Sequence, residues 1–314
     1  MKILGPDTLV FGVEDVDSCT QFLTDYGLTP TGGGRFEALD GTGVVIARKD
    51  DPSLPAWPFE TANQLRKTVY GVQDQATLEA IATELSRDRE IKRLPDGSIE
   101  SVDDAGFALG FQVTVRRPLD LPAEAVNAPG DARRGVNVPG APAGKDSPMP
   151  RPRSLSHVVY FVPDAAKAEA FYVNRLGFRL SDRFINMGPF LRPAGTLDHH
   201  TLFLIQTPAV MQGCDHFTFH MGGPSEVFQA GYAFAEKGYE TFWGPGRHRF
   251  GSNYFWYFNS PMGCHIEYDA DMDQHDDSWI PRVAPAVADN AQIYLFNRRE
   301  IWAPGGPPPA KAAL

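Results

Sequence analysis

Apolar and polar positions fall along this chain in blocks that repeat. "TLVFGVEDVDSCTQFLTDYGL" (Thr8 to Leu28) opens with an apolar run of strand type and then takes up a helical period. Asp15 stands where it can cap the helix, and Gly27 follows the last turn, suited to the left-handed position that ends helices. "HVVYFVPDAAKAEAFYVNRLGF" (His157 to Phe178) repeats this scheme with Asp164 and Gly177, and each helix carries an aromatic on its apolar face. Each half then runs through the pattern again, in "KTVYGVQDQATLEAIATEL" and in "HFTFHMGGPSEVFQAGYAFAEKG". In the latter Val227, Ala230, Gly231 and Phe234 fall at i, i+3, i+4 and i+7, one helical face. Short strands fill the gaps: "GRFEAL" and "GVVIAR" early, "HTLFLIQ", "SNYFWYF" and "CHIEYDA" late. The repeat predicts an α+β fold of four strand–helix–strands (βαβββ) modules, two per domain.

Between the halves, "LDLPAEAVNAPGDARRGVNVPGAPAGKDSPMP" is rich in Pro, Gly and Ala and has no period, which predicts a linker or an extended surface crossover. The expected division is therefore a first domain over 1–118, a linker over 119–152, a second domain over 153–285, and an extension and tail over 286–314, ending in "WAPGGPPPAKAAL". A length of 314 residues suits two domains. The net charge of −10 argues against nucleic acid or an anionic membrane as partner. No apolar run is long enough to span a bilayer, and "MKILGPDTLV" lacks the apolar core of a signal peptide. Three scattered cysteines (Cys19, Cys214, Cys264) do not suggest a disulfide framework, and a cytoplasmic location is expected.

Histidine changes the picture. All eight lie between His157 and His275, so imidazole chemistry is confined to the second half. His157 begins one strand, His216 sits in the strand opening the next module, and Glu267 lies in the last strand. Two imidazoles and a carboxylate converging on one point, with open positions opposite, form the ligand type of non-haem Fe(II) oxygenases. Periodicity puts His220 on the face of His216, and His265 on the face of Glu267. It does not choose within either pair.

The motifs "LSHVVYFVPD", "DHHTLFLIQTP", "CDHFTFHM", "GPGRH" and "YFNSPMGCHIEY" occur in this order. "GRH" is followed by Tyr257 nine residues after His248, and by Glu267 ten residues further on. In these features residues 154–269 resemble the catalytic domain of type I extradiol ring-cleaving dioxygenases, of the vicinal oxygen chelate superfamily. The resemblance implies that His157, His216 and Glu267 bind Fe(II), with Mn(II) as the other metal such a set accepts. It implies that His200 is the acid–base residue and that His248 and Tyr257 hydrogen-bond the hydroxyls of a small aromatic diol, which O2 then attacks with ring opening. A homo-oligomer is also implied.

The first half resembles the family's degenerate N-terminal domain: Thr8 aligns with His157 and Gly110 with Glu267, so it should be scaffold. An aromatic substrate calls for a flat apolar pocket, expected from Val159, Phe190 and Phe255. Trp279 and the Pro281–Pro285 segment are expected to close the far side. Many relatives carry Asn or Asp that contacts substrate where Phe250 and Gly251 stand, so that contact does not carry over to this chain; its length and the trailing "IYLFNRREIW" suggest a divergent branch such as trihydroxytoluene cleavage. Alternatives are a glyoxalase- or epimerase-like metal enzyme of the same superfamily, or a ligand-sequestering protein built on the same modules.

Overall fold

A computed structural model describes residues 1–59, 61–140 and 149–295. The first module comprises β1 (Ile3–Val13), α1 (Val16–Tyr26), β2 (Thr29–Gly32), β3 (Arg35–Glu37) and β4 (Gly43–Arg48). The second comprises β5 (Leu65–Val72), α2 (Gln75–Leu85), β6 (Lys92–Arg93), β7 (Ile99–Val102) and β8 (Ala108–Val113). Together they form one eight-stranded sheet, ordered β2-β3-β4-β1-β5-β8-β7-β6. A small hairpin, β9 (Asn127–Ala128) with β10 (Asp131–Ala132), lies in the Pro/Gly-rich segment.

The second half repeats the plan with β11 (Ser154–Val162), α3 (Ala165–Leu176), β12 (Phe178–Ile185), β13 (Gly188–Pro193) and β14 (Leu202–Gln206). Its other module is β15 (Gly213–His220), α4 (Pro224–Glu236), β16 (Thr241–His248), β17 (Tyr254–Asn259) and β18 (His265–Ala270). Three further elements follow: β19 (Arg282–Pro285), α5 (Ala288–Ala291) and β20 (Gln292–Leu295). The ten-stranded sheet runs β19-β12-β13-β14-β11-β15-β18-β17-β16-β20. Thus β19 and β20 each take an outer edge of this sheet. The expected tail beyond Leu295, with most of "IYLFNRREIW", lies outside the described residues.

Local chemistry explains the repeat. Asp15 accepts a hydrogen bond from the Ser18 N–H and Asp164 one from the Lys167 N–H, each at 2.9 Å, so each caps its helix. Gly27 and Gly177 end α1 and α3 at φ 108° and 76°, a region that costs a glycine little. The buried face of α4 is the predicted one: Val227, Ala230, Gly231 and Phe234.

One apolar core runs through both halves. Tyr26 of α1 stacks on Tyr268 of β18 with ring centroids 4.0 Å apart. The Tyr26 hydroxyl donates to the Glu267 carbonyl at 2.6 Å, and the Tyr268 hydroxyl donates to the Tyr26 carbonyl at 2.7 Å. Asn63 donates from Nδ2 to the Cys214 carbonyl at 2.8 Å, and Tyr172 donates to the buried Asp103 at 2.9 Å. The first half is therefore packed against the strands that carry the site. The three cysteines are free and buried, and no helix among the described residues is long and apolar enough to cross a membrane.

Candidate metal centre and cavity

Strand register assembles the site. His157 on β11 pairs with Thr218 on β15, Thr218 with Glu267 on β18, and Glu267 with Tyr257 on β17. Four strands thus place His157, Thr218, Glu267 and Tyr257 in one row across the sheet. The next row on the same face is Phe203, Val159, His216 and His265. His216 is one step from the Glu267 row, on a strand beside it. His265 is directly opposite His216, but its ring stacks on Phe242 of β16 with centroids 3.7 Å apart. His220 lies in a third row, where its Nδ1 meets Asp269 at 2.6 Å. These rows, which periodicity cannot give, set His216 and Glu267 together with His157 and leave His220 and His265 outside that group.

His157, His216 and Glu267 are buried, and a ligand atom from each lies within 4.8 Å of the other two. Among the described residues this is the one such group of three or more His, Cys, Asp or Glu. The His157 and His216 Nε2 atoms stand 3.3 and 3.6 Å from Glu267 Oε2. The other ring nitrogens are committed elsewhere: His157 Nδ1 meets the Ser156 hydroxyl at 2.8 Å, and His216 Nδ1 meets Asp215 at 2.6 Å. The Asp215 carboxylate holds His216 in the tautomer that leaves Nε2 for a metal, whereas His157 Nε2 also meets the Thr218 hydroxyl at 2.9 Å. Thr218 donates to Glu267 Oε2 at 2.5 Å, whereas Glu267 Oε1 is buried without a hydrogen bond, 3.6 Å from His248 Nε2. Burial alone would raise the Glu267 pKa, but the imidazoles of His157, His248 and His216 around it hold it well below the usual carboxylate range. Burial lowers that of His157. A buried carboxylate with a bare oxygen, facing the Nε2 atoms of two imidazoles, fits a divalent cation, and ligation by neutral rings would leave it one net positive charge.

His157 and His216 of this group form one wall of a small cavity partly open to solvent. His200, just before β14, His248 at the end of β16, and Tyr257 all line it, as do Val159 and Phe190. Burial, reinforced by the imidazoles of His157 and His199, takes the His200 pKa well below its ordinary value, so its ring is neutral at pH 7. His248 Nδ1 meets the Ala291 carbonyl at 3.0 Å and must donate there, so in the neutral ring its Nε2 accepts. The Tyr257 hydroxyl, 3.1 Å away, is the donor to that nitrogen. Burial and the nearby carboxylates raise the Tyr257 pKa well above the phenol range.

Phe255 stands behind this wall and does not line it. It stacks on His248 at 4.0 Å and packs with Trp243, because its step along β17 places it one row beyond Tyr257. Trp279 and β19 also back the cavity without facing it: the Trp279 indole donates to the Ser181 carbonyl, and Arg282 covers Phe250 at 4.9 Å. Sequence reasoning missed Phe184, Phe203, Asn253 and Ala291, and took Phe250 only as the loss of a polar group. Phe203 was open to discovery as the partner of Val159 on the parallel strand β14. Ala291 carried no signal. Gly251, at φ +82°, leaves room beside the cavity that Asn253 Oδ1 and the His199 ring approach.

The first half repeats the rows with other chemistry. Thr8 pairs with Val69, Val69 with Gly110, and Gly110 with Glu100. Lys67 takes the place of His216 and forms an ion pair with Glu100, which takes the place of Tyr257. A fixed cation thus occupies the counterpart of the metal site.

Fold and donor set together define a protein of paired βαβββ modules that carries a candidate metal site. Residues 154–268 match the family described as Glyoxalase/Bleomycin resistance protein/Dioxygenase superfamily. Metapyrocatechase 2 of Cupriavidus necator is 39% identical over 145 residues, 44% of this chain and 45% of that protein, so this match spans under half its length. Biphenyl-2,3-diol 1,2-dioxygenase of Pseudomonas sp. (strain KKS102) is 30% identical over 239 residues, 72% of this chain and 74% of that protein. Two solved structures share the fold: a Mn(II)-bound glyoxalase from Novosphingobium aromaticivorans (TM-score 0.69, 21% identity, 91% of this chain and 88% of that one) and BphC, a halotolerant catechol dioxygenase (TM-score 0.71, 17% identity, 95% of each). The chain belongs to the extradiol ring-cleaving dioxygenases of this superfamily.

Proposed function

We propose that this protein opens the ring of a catechol-type diol beside its two hydroxyls, using O2 at Fe(II) held by His157 Nε2, His216 Nε2 and Glu267. The observation that carries this reading is the buried His157–His216–Glu267 group opening on a cavity whose other walls are aromatic and whose remaining polar groups are His200, His248, Tyr257 and Asn253. A bound divalent metal supplies chelation of the diol, acidification of its hydroxyls and a site for O2.

The residues of this chain do the rest. Val159, Phe190, Phe203 and Phe250 give the ring a flat apolar bed, and Phe190 and Phe203 are themselves stacked at 3.9 Å. Tyr257 is a hydroxyl donor that can turn from His248 Nε2 to a phenolate oxygen and favour its ionised form. His248 Nε2, with Nδ1 tied to Ala291, accepts a proton or hydrogen bond from the substrate side. Neutral His200 takes up a substrate proton and returns it as the ring opens, the task of an acid–base residue. Phe250 adds a further apolar wall and offers no hydrogen-bond partner to a ring substituent on its side.

The test is anaerobic reconstitution with Fe(II), in parallel with Mn(II), followed by a panel of catechols, biphenyl diols and trihydroxylated toluenes. Oxygen uptake with formation of a yellow ring-opened product is expected. Metal uptake at the site without oxygen consumption on any diol or triol would overturn the proposal and favour a glyoxalase- or epimerase-type reaction. His200→Gln should keep its metal and lose most of kcat; turnover like that of the unaltered protein would remove His200 from the acid–base role.

A further inference from the structure

His200 does not stand alone. Its Nδ1 lies 2.9 Å from Nδ1 of His199, and Nε2 of His199 lies 2.8 Å from Oδ2 of Asp182. Asp182 and His199 are fully buried, and neither faces the cavity. Asp182 sits on β12, where Oδ1 accepts from the Arg282 backbone N–H at 2.7 Å and Oδ2 from Arg282 Nη2 at 2.6 Å. Every other group on this carboxylate is a donor, so it meets His199 only as an acceptor.

Donor accounting then runs inward from Asp182. His199 Nε2 must carry a hydrogen to reach Asp182. Burial, opposed by Asp182, lowers the His199 pKa, so the ring is neutral and its Nδ1 is an acceptor. His200 must therefore donate from its own Nδ1 to close the 2.9 Å contact. Its second nitrogen, Nε2, is left with a lone pair on the ring edge away from His199, in a side chain that lines the cavity. An isolated imidazole divides between two tautomers, one of which would present Nε2–H and could take no proton.

We propose that Asp182 and His199 are positioning residues that hold His200 in the tautomer with Nδ1–H and an unprotonated Nε2 facing the substrate. This rests on the acid–base reading of His200 given above. The Arg282–Asp182 contact gives β19 its function: a strand from beyond the fourth module seats the carboxylate that begins the chain. The sequence signal is the tandem pair His199–His200, where the first histidine sets the state of the second.

The test uses the full chain loaded with Zn(II) alone and labelled with 15N in its imidazole rings. His200 signals are assigned by their loss in His200→Gln. The expected spectrum shows His200 with a protonated Nδ1 and an unprotonated Nε2. The reverse tautomer, or a doubly protonated ring, at pH 7 overturns the proposal without any further variant. Asp182→Asn turns an N–H toward His199 and should move His200 toward the reverse tautomer. His199→Phe, which keeps a ring beside Phe190, should leave His200 a mixture of tautomers. With Fe(II) and an active diol, both variants should lower kcat roughly 10- to 100-fold with little change in KM. Neither should cost anything further in the His200→Gln background, since both act through His200. Equal losses with and without His200 would mark a merely structural role. If His200→Gln itself turns over normally while the tautomer is as stated, the acid–base reading fails and the tautomer assignment survives.

Discussion

Tyr26→Phe tests whether the first half supports the carboxylate strand of the site. The change removes one oxygen. In the folded protein that hydroxyl donates to the Glu267 carbonyl at 2.6 Å, in a place where Tyr26 and Glu267 are both fully buried. The ring and its 4.0 Å stacking on Tyr268 remain. Losing a buried hydrogen bond and leaving its acceptor less well satisfied costs about 1–2 kcal/mol. Unfolding entropy is about 2.1 cal/mol/K per residue, so a chain of 314 residues melting as one unit should lose roughly 2–3 °C. If the second half melted alone, the same energy would show as roughly twice that shift, because less entropy is released. The assay is scanning calorimetry of the metal-free protein, run beside Tyr268→Phe, which deletes the reciprocal bond to the Tyr26 carbonyl. Comparable losses in both variants are expected. A melting temperature unchanged or raised in Tyr26→Phe would show that the interface does not hold β18 in this way.

Asp215→Asn should weaken metal binding roughly 10- to 100-fold, because the carboxylate 2.6 Å from His216 Nδ1 fixes the tautomer that frees Nε2; competition against a chelator measures it, and unchanged affinity would refute the role. Tyr257→Phe should lower kcat/KM for the diol on the order of 10- to 100-fold, the worth of a hydrogen bond to a developing phenolate, with metal content intact by elemental analysis. Asp103 gives a prediction in pH: burial raises its carboxyl to about 6, against hydrogen bonds from Phe107 N–H and Tyr172, so the folded state holds the proton more tightly than the unfolded one. Its contribution to stability is then greatest below about pH 4 and is lost as pH rises through 6, a change of roughly 3 kcal/mol. Denaturation from pH 4 to 8 should show this loss in the natural protein and not in Asp103→Asn; parallel curves would contradict it.

The sequence alone determined the modules. Strand and helix periods, the capping Asp15 and Asp164, and the terminal Gly27 and Gly177 act within a few residues, so each is readable without the rest of the chain. The confinement of histidine to the second half, together with the Thr8 and Gly110 alignment, located the candidate centre there. Period two placed His216 with His220 and His265 with Glu267, and could go no further. A strand's face is a local property, whereas the step along that face is set by register against its neighbours. The rows across β11, β15, β18 and β17 bring His157, Thr218, Glu267 and Tyr257 together and turn His265 onto Phe242. The same reason puts Phe255 behind the cavity and Phe203 within it. Asp182 and His199 are 17 residues apart in sequence, and only the pairing of β12 with β13 and β19 sets the carboxylate against the imidazole. Tertiary structure alone decided that contact, because a hydrogen bond between a strand and a loop that follows it depends on register and burial that no local pattern encodes.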